Sequence, residues 1–289
     1  VNEQGQTDKR AQALATLLDD PSPVVRKALL DEFSRQGEAG VAFLKRLAEE
    51  GNRLRGWHAR WYLAELRNSD PIAEFRSFIR SQNYELETGS LLLCRIAYPD
   101  LDVGAFCHQL DAIAARCREL IAEPASAKDR CLAVNRVLFH EMGFRGNADD
   151  DADPANAFVT CVIDSRKGLP IALSILYLLV GQRIGLELEP VSLPDHFVVA
   201  SFDKSRPFYI DPFERGKIWS VEQLLSSLEE ANAQPKLHHL APAPVREVLC
   251  RCCRSLARRF TQSGELHMGK LFRSFVDEFE AAHQRRAQP

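Results

Sequence analysis

Along the first 122 residues, apolar positions recur three and four apart, the spacing of one helical face. "RAQALATLLDD" opens the pattern. "PSPVVRKALLDEFSRQG" repeats it, with Ser22 as N-cap, Pro23 at the first helical position and Gly37 as the stop. "EAGVAFLKRLAEEG", closed by Gly51, and "LRGWHARWYLAELRN" follow. These predict four short helices in two hairpins. The same period continues through "PIAEFRSFIRSQ", "ELETGSLLLCRIAYP" and "DVGAFCHQLDAIAARCRELI", the last capped by Asp102. "AEPASAK" reads as a loop and "DRCLAVNRVLFHEMG" as a helix stopped at Gly143. Residues 145–157 are polar and turn-rich, hence a loop.

The period then changes. "PIALSILYLLVGQRIG" is apolar all round, with Pro170 in its first turn and Gly185 past its end, and predicts a buried helix. "ELEPVSL", "HFVVASFD" and "PFYIDPF" are short β-branched and aromatic runs, so they predict strands, with "DKSRP" as a hairpin loop. "SVEQLLSSLEEAN" is helical again. From residue 244 the pattern is a helical pair broken around Ser263–Gly264.

Composition adds limits. The net charge is −3 in 289 residues, which points away from nucleic acid and from anionic membrane surfaces. Apolar runs stay well short of the roughly 20 residues of a membrane span. The opening "VNEQGQTDKR" lacks the apolar stretch of a signal peptide. The eight cysteines lie mostly in apolar or helical segments, the usage of a reduced cytoplasmic protein in which thiols act as small hydrophobes. "CRCC" at 250–253 has no second pair at zinc spacing, so no metal is expected there. Asp149, Asp151 and Asp153 resemble the start of a calcium loop, but Pro154 and Thr160 stand where its Gly and Glu belong. That stretch reads as a solvated loop. Trp57, Trp61 and Tyr62 share a helical face and read as core.

"DDPSPVVRKALLDEF" resembles a HEAT repeat, and the C-terminal pair resembles a TPR-like tail. A more specific resemblance runs from about residue 83 to 225. It is carried by "NYELETGSLLLCRIAYPDLDVGAFCHQLDAIAARCREL", "LFHEMGFRGN", "DPAN", "GLPIALSILYLLVGQRIGLELEPVSLPDHFVVA" and "FYIDPFERGK". These segments look like the SirB-type bacterial proteins of the transglutaminase-like superfamily. The resemblance implies a papain-like module in which a helix sets its N-terminus against an antiparallel sheet. The expected fold class is therefore α+β and mostly helical. HEAT-like hairpins and linker helices occupy 1–122, the transglutaminase-like module 123–240, and the TPR-like pair 241–289.

In active members of such a family, the nucleophile is a Cys at the start of that helix. Its thiol pKa is lowered by the helix terminus and a nearby His. The His heads one strand and an Asp closes the next. His196 and Asp211 match the latter two, and a short hairpin is expected to set them at corresponding positions within hydrogen-bond reach. The helix start is "KGLPIAL", with Pro170 where the Cys belongs. Proline offers no nucleophile and no N–H. Cys161, in "VTCVID", is the nearest thiol; its plain reading is a buried strand cysteine. Ser174 lies one turn inside the helix, where its hydroxyl can bond back to the preceding turn.

Asn147 and Asn156 match polar positions of the family and are expected to brace the loop through side-chain to backbone bonds. Ala157 stands where the family usually has a serine. Three functions follow. The favoured one is a non-enzymatic scaffold that binds a protein or peptide, without cofactor, nucleic acid or membrane partner. The alternative is a cysteine hydrolase or acyltransferase using Cys161 with His196 and Asp211. The third is an anion binder at the helix start near Gly168.

Overall fold

The computed structural model describes residues 12–20, 22–49, 53–66, 71–147, 152–194, 196–202, 207–230 and 237–287. The chain divides into two compact units, Val1–Glu74 and Phe75–Pro289.

In the first unit, helix α1 covers 12–17, followed by α2 (Pro23–Gln36), α3 (Glu38–Glu49) and α4 (Arg53–Leu66). Asp20 accepts the Ser22 N–H at 2.8 Å, which fixes the entry to α2. Gly37, at φ +57°, adopts the left-handed conformation that ends it. Leu18, Leu29, Phe33, Leu44, Leu47, Ala59 and Tyr62 form the unit's core. Tyr62 is fully buried, with its ring edge-on to Phe33, and Trp61 packs against the same cluster.

Helix α5 (Pro71–Ser81) crosses the division. The second unit continues with α6 (Leu86–Ala97), α7 (Val103–Leu120) and α8 (Ala127–Asn135). Asp102 caps α7 by accepting from the Ala105 N–H, as its position predicts. Helix α8 does not run on to Gly143 unchanged: its last turns, Arg136–Glu141, are π-helical. Next come β1 (Arg145–Gly146), a 3₁₀ turn (Pro154–Ala157), α9 (Val159–Ser165), β2 (Lys167–Gly168) and α10 (Pro170–Arg183). Strands β1 and β2 pair in parallel. Strands β3 (Glu189–Leu193), β4 (His196–Ser201), β5 (Phe208–Asp211) and β6 (Lys217–Trp219) form an antiparallel meander in that spatial order. Helices α11 (Val221–Glu230), α12 (Val245–Gln262) and α13 (Leu266–Ala287) complete the chain.

Helix α10 is the unit's centre. Every residue from Ile171 to Gly181 is buried, as its unbroken apolar sequence requires. It packs on β4, α7, α8 and α9. Its far end is pinned by Arg183, which bonds both carboxylate oxygens of Glu87 (2.7 and 3.0 Å) and Asp111 (2.8 Å). On one sheet face Val191, Val198, Ala200 and Tyr209 pack with Leu224 and Leu228 of α11. The terminal pair, α12 and α13, turns at Gly264 (φ +89°) and stacks Phe260 on Phe272 at 5.4 Å. It joins the unit through the 6.3 Å Phe158–Phe260 and 4.9 Å Phe75–Phe275 ring contacts. No helix among the described residues is long and apolar enough to cross a membrane.

Candidate functional site

His196 is the first residue of β4 and Asp211 the last of β5. The register pairs Val199 with Ile210 and Ala200 with Tyr209. Continued by one residue, it sets Asp211 opposite Val198. His196 is therefore a diagonal neighbour of Asp211 on the same sheet face, not its directly opposed partner as the sequence suggested. Diagonal positions lie about 7–8 Å apart at the backbone, a gap an imidazole can span. His196 Nε2 and Asp211 Oδ2 meet at 2.7 Å.

Asp211 has a second task. Its Oδ1 accepts the N–H groups of Phe213 (3.0 Å) and Glu214 (3.2 Å). The Gly216 N–H donates to its carbonyl at 2.8 Å. The turn over 212–216, with Arg215 (φ +54°) and Gly216 (φ +77°) left-handed, is thus built around this buried carboxylate. The His196 side chain is 26% exposed and meets the Phe213 ring edge-on at 6.1 Å. Its Nδ1 has no hydrogen-bond partner among the described residues. In the tautomer whose Nε2–H donates to Asp211, Nδ1 is the nitrogen left with the lone pair.

Phe213 connects this corner to the start of α10. A Cβ on Gly146 would lie 2.6–2.7 Å from three Phe213 ring atoms, so the ring sits directly on the Gly146 backbone. Gly146 pairs with Gly168, two residues before Pro170. Gly168 is itself closed in: its Cβ would meet Val162 Cγ2 at 2.7 Å. The Asn147 N–H donates to the Gly168 carbonyl (3.0 Å), and the Leu169 N–H to the Asn156 carbonyl (3.0 Å). The two asparagine side chains meet each other, Asn147 Nδ2 donating to Asn156 Oδ1 at 3.0 Å. The two asparagines thus brace this corner through an amide-to-amide side-chain bond and through main-chain bonds. Asn147, Asn156 and Gly168 come together as the clamp that sets where α10 begins.

Pro170 occupies the first turn of α10, after Leu169 in extended conformation. Ser174 does not bond back along the helix: its buried hydroxyl reaches the Phe197 carbonyl at 3.3 Å. It thereby ties α10 to β4 one residue from His196. Cys161 is not a strand cysteine. It lies in α9, half-buried, and its hydrogen-bonding neighbours are Tyr98 and Thr160. No hydrogen bond joins it to His196. Burial pushes its thiol pKa up, against the smaller opposing effect of the Tyr98 and Thr160 bonds. A nucleophilic thiol needs the reverse shift.

No group of three or more metal-ligating side chains lies together among the described residues. Asp149 and Asp151 fall outside them; Asp153 caps the 3₁₀ turn by accepting from the Ala155 N–H. Sequence reasoning missed Phe213 and Arg251. Arg251 donates to Ser192 Oγ (2.6 Å) and the Leu193 carbonyl (2.8 Å) and lies over the Phe197 ring. The glycine in "RGN" was the available signal for Phe213, since a glycine in an extended segment marks a close approach.

Residues 104–254 match the profile of the Transglutaminase-like superfamily. The chain is 30% identical over 192 residues to a UPF0162 protein of Xylella fastidiosa, spanning 64% of this chain and 68% of that protein. It is 30% identical over 141 residues to a UPF0162 protein of Vibrio cholerae, spanning 48% and 52%. It is 36% identical over 99 residues to F-box only protein 21 of Mus musculus, spanning 32% of this chain and 16% of that protein. No solved structure matches.

Proposed function

Because the chain belongs to the transglutaminase-like superfamily, we propose that it keeps the family's polar pair without a nucleophile and acts as a protein-interaction or regulatory scaffold. One observation carries this reading: Pro170 stands at the first turn of the helix that would present the thiol. An acyl-transfer site needs a nucleophile within reach of the base, and donors for the oxyanion. Proline supplies neither. Cys161 supports the same conclusion, because its neighbours are Tyr98 and Thr160 and burial keeps its thiol protonated.

The retained pair has a structural use that does not depend on turnover. Asp211 organises the 212–216 turn, and His196 closes over it with Phe213. The fold can therefore hold these residues for stability while the chemistry is lost. The flanking helices fit an interaction role: HEAT-like hairpins in front and a TPR-like pair behind are units that commonly present surfaces to protein segments. Site-resolved alkylation at neutral pH tests the reading. Cys161 should label no faster than an ordinary half-buried cysteine, and His196→Ala should leave its rate unchanged. Rapid labelling at Cys161 that His196→Ala abolishes would establish the hydrolase alternative instead.

A further inference from the structure

A groove of about 520 Å³ runs between the π-helical turns after α8 and the start of β6. Leu132 and Ile218 are its apolar lining, and Leu132 is 49% exposed. Arg136, His140, Arg215 and Lys217 also line it. Among the described residues Glu214 is the one carboxylate lining it, so three permanent cations there face a single anion on a chain whose net charge is −3. We propose that this groove docks a short acidic segment of a partner protein, its carboxylates on the three cations and an apolar side chain over Leu132 and Ile218.

The cations are available. The Arg136 side chain is 67% exposed, and its contact with Glu141 is long, at 3.5 Å. Glu141 is already held by Arg116 Nε and Nη2, at 2.9 and 3.2 Å. The Lys217 ammonium rests 3.6 Å from the Trp219 ring centre, which fixes it without neutralising it. Arg215 projects from a left-handed turn residue and has no ion-pair partner among the described residues. The wall itself is shaped at a cost: π-helical turns are rare and less favourable than α, and here they carry Arg136 and His140. Asn135 Nδ2 donates to the Gly216 carbonyl at 2.7 Å, locking the two walls together.

Charge complementarity with apolar lining favours a protein segment over nucleic acid, because among the described residues His140 is the only aromatic ring lining the groove, one stacking surface where a run of bases needs several. The groove also adjoins the polar pair. Lys217 is opposite Asp211 in the sheet, and Asp211 builds the turn that presents Arg215. The proposal rests on the interaction reading above and names its partner's chemistry.

Fluorescence anisotropy of the full chain with a labelled peptide of Glu-Glu-Leu repeats tests it, beside a matched Gln-Gln-Leu peptide. The acidic peptide should bind and the neutral one should not. Arg215→Glu and Arg136→Glu should each weaken binding about fivefold or more, as reversal of a rim charge does, with thermal melting unchanged. If one variant fails to fold, the other decides. Absence of binding, or binding indifferent to both variants, would overturn the proposal. So would equal competition by oligothymidylate or inorganic phosphate, which would mark a general anion surface. Such failures leave the Cys161 labelling result untouched, and a reactive Cys161 would end the scaffold reading without altering these titrations.

Discussion

At the scale of single residues, Asp211 and His196 are unequal partners. Asp211 is buried and satisfies two backbone N–H groups as well as the imidazole, whereas His196 is partly in water. Asp211→Ala should therefore cost about 1–3 kcal/mol, because it removes a buried acceptor and leaves the turn's N–H groups without their partner. His196→Ala should cost under about 1 kcal/mol, the usual worth of a partly exposed contact. Urea denaturation of both variants measures this, and equal losses would mean that the pair, not the turn, is what the carboxylate maintains. Gly146→Ala should cost about 1–3 kcal/mol by forcing Phe213 off the strand. The His and the Asp were legible in the sequence because each stands at the end of an apolar run. Phe213 and Ser174 were not, since their partners, Gly146 and the Phe197 carbonyl, are far away in the chain and are brought near only by folding.

At the scale of elements, α10 was readable at both ends, from Pro170 and from Gly185, and its all-round apolar sequence announced burial. Strands β3 to β5 were readable from β-branched and aromatic runs. Helix α9 was not: Val159, Thr160, Val162 and Ile163 have strand propensity, yet the segment is helical and buries all four. Tertiary packing overrides a weak local preference over seven residues. The π-helical turns and three-residue β6 leave no period long enough to detect. Arg183 makes α10 the tie between α6 and α7, its side chain only 16% exposed. Arg183→Ala should cost about 3–5 kcal/mol, because Glu87 is left partly buried without its cation. Arg183→Lys should recover only part, since an ammonium cannot hold the fork to both carboxylate oxygens. Chemical denaturation of the two variants gives both numbers.

At the scale of the whole chain, two expectations follow. The first concerns alkaline pH. Burial raises the thiols of Cys94 and Cys131 to about 11, and those of Cys107, Cys117 and Cys252 to about 12. In the unfolded chain a thiol ionises near pH 8.5. The folded state thus holds protons that the unfolded state releases. Stability is fully present below about pH 8.5 and falls as pH rises toward 11–12. Melting temperatures from pH 7 to 10 should decline, and serine at these positions should flatten the decline. The second concerns boundaries. Sequence patterning groups 1–122 as one helical region, while α6 and α7 contact α9, α10 and α12. A fragment of 71–289 should melt cooperatively, and 123–289 should not. A cooperative 123–289 fragment would place the boundary at residue 122 after all.

We propose that Pro170, at the first turn of α10, stands in the place of a lost nucleophile. Pro170→Cys tests it directly, read as the alkylation rate against pH with and without His196→Ala. The account predicts a thiol that reacts about tenfold faster at pH 7 than an ordinary cysteine, as a depressed pKa at a helix start requires, and that loses the advantage in the His196→Ala background. A thiol of ordinary reactivity, indifferent to His196→Ala, would contradict it.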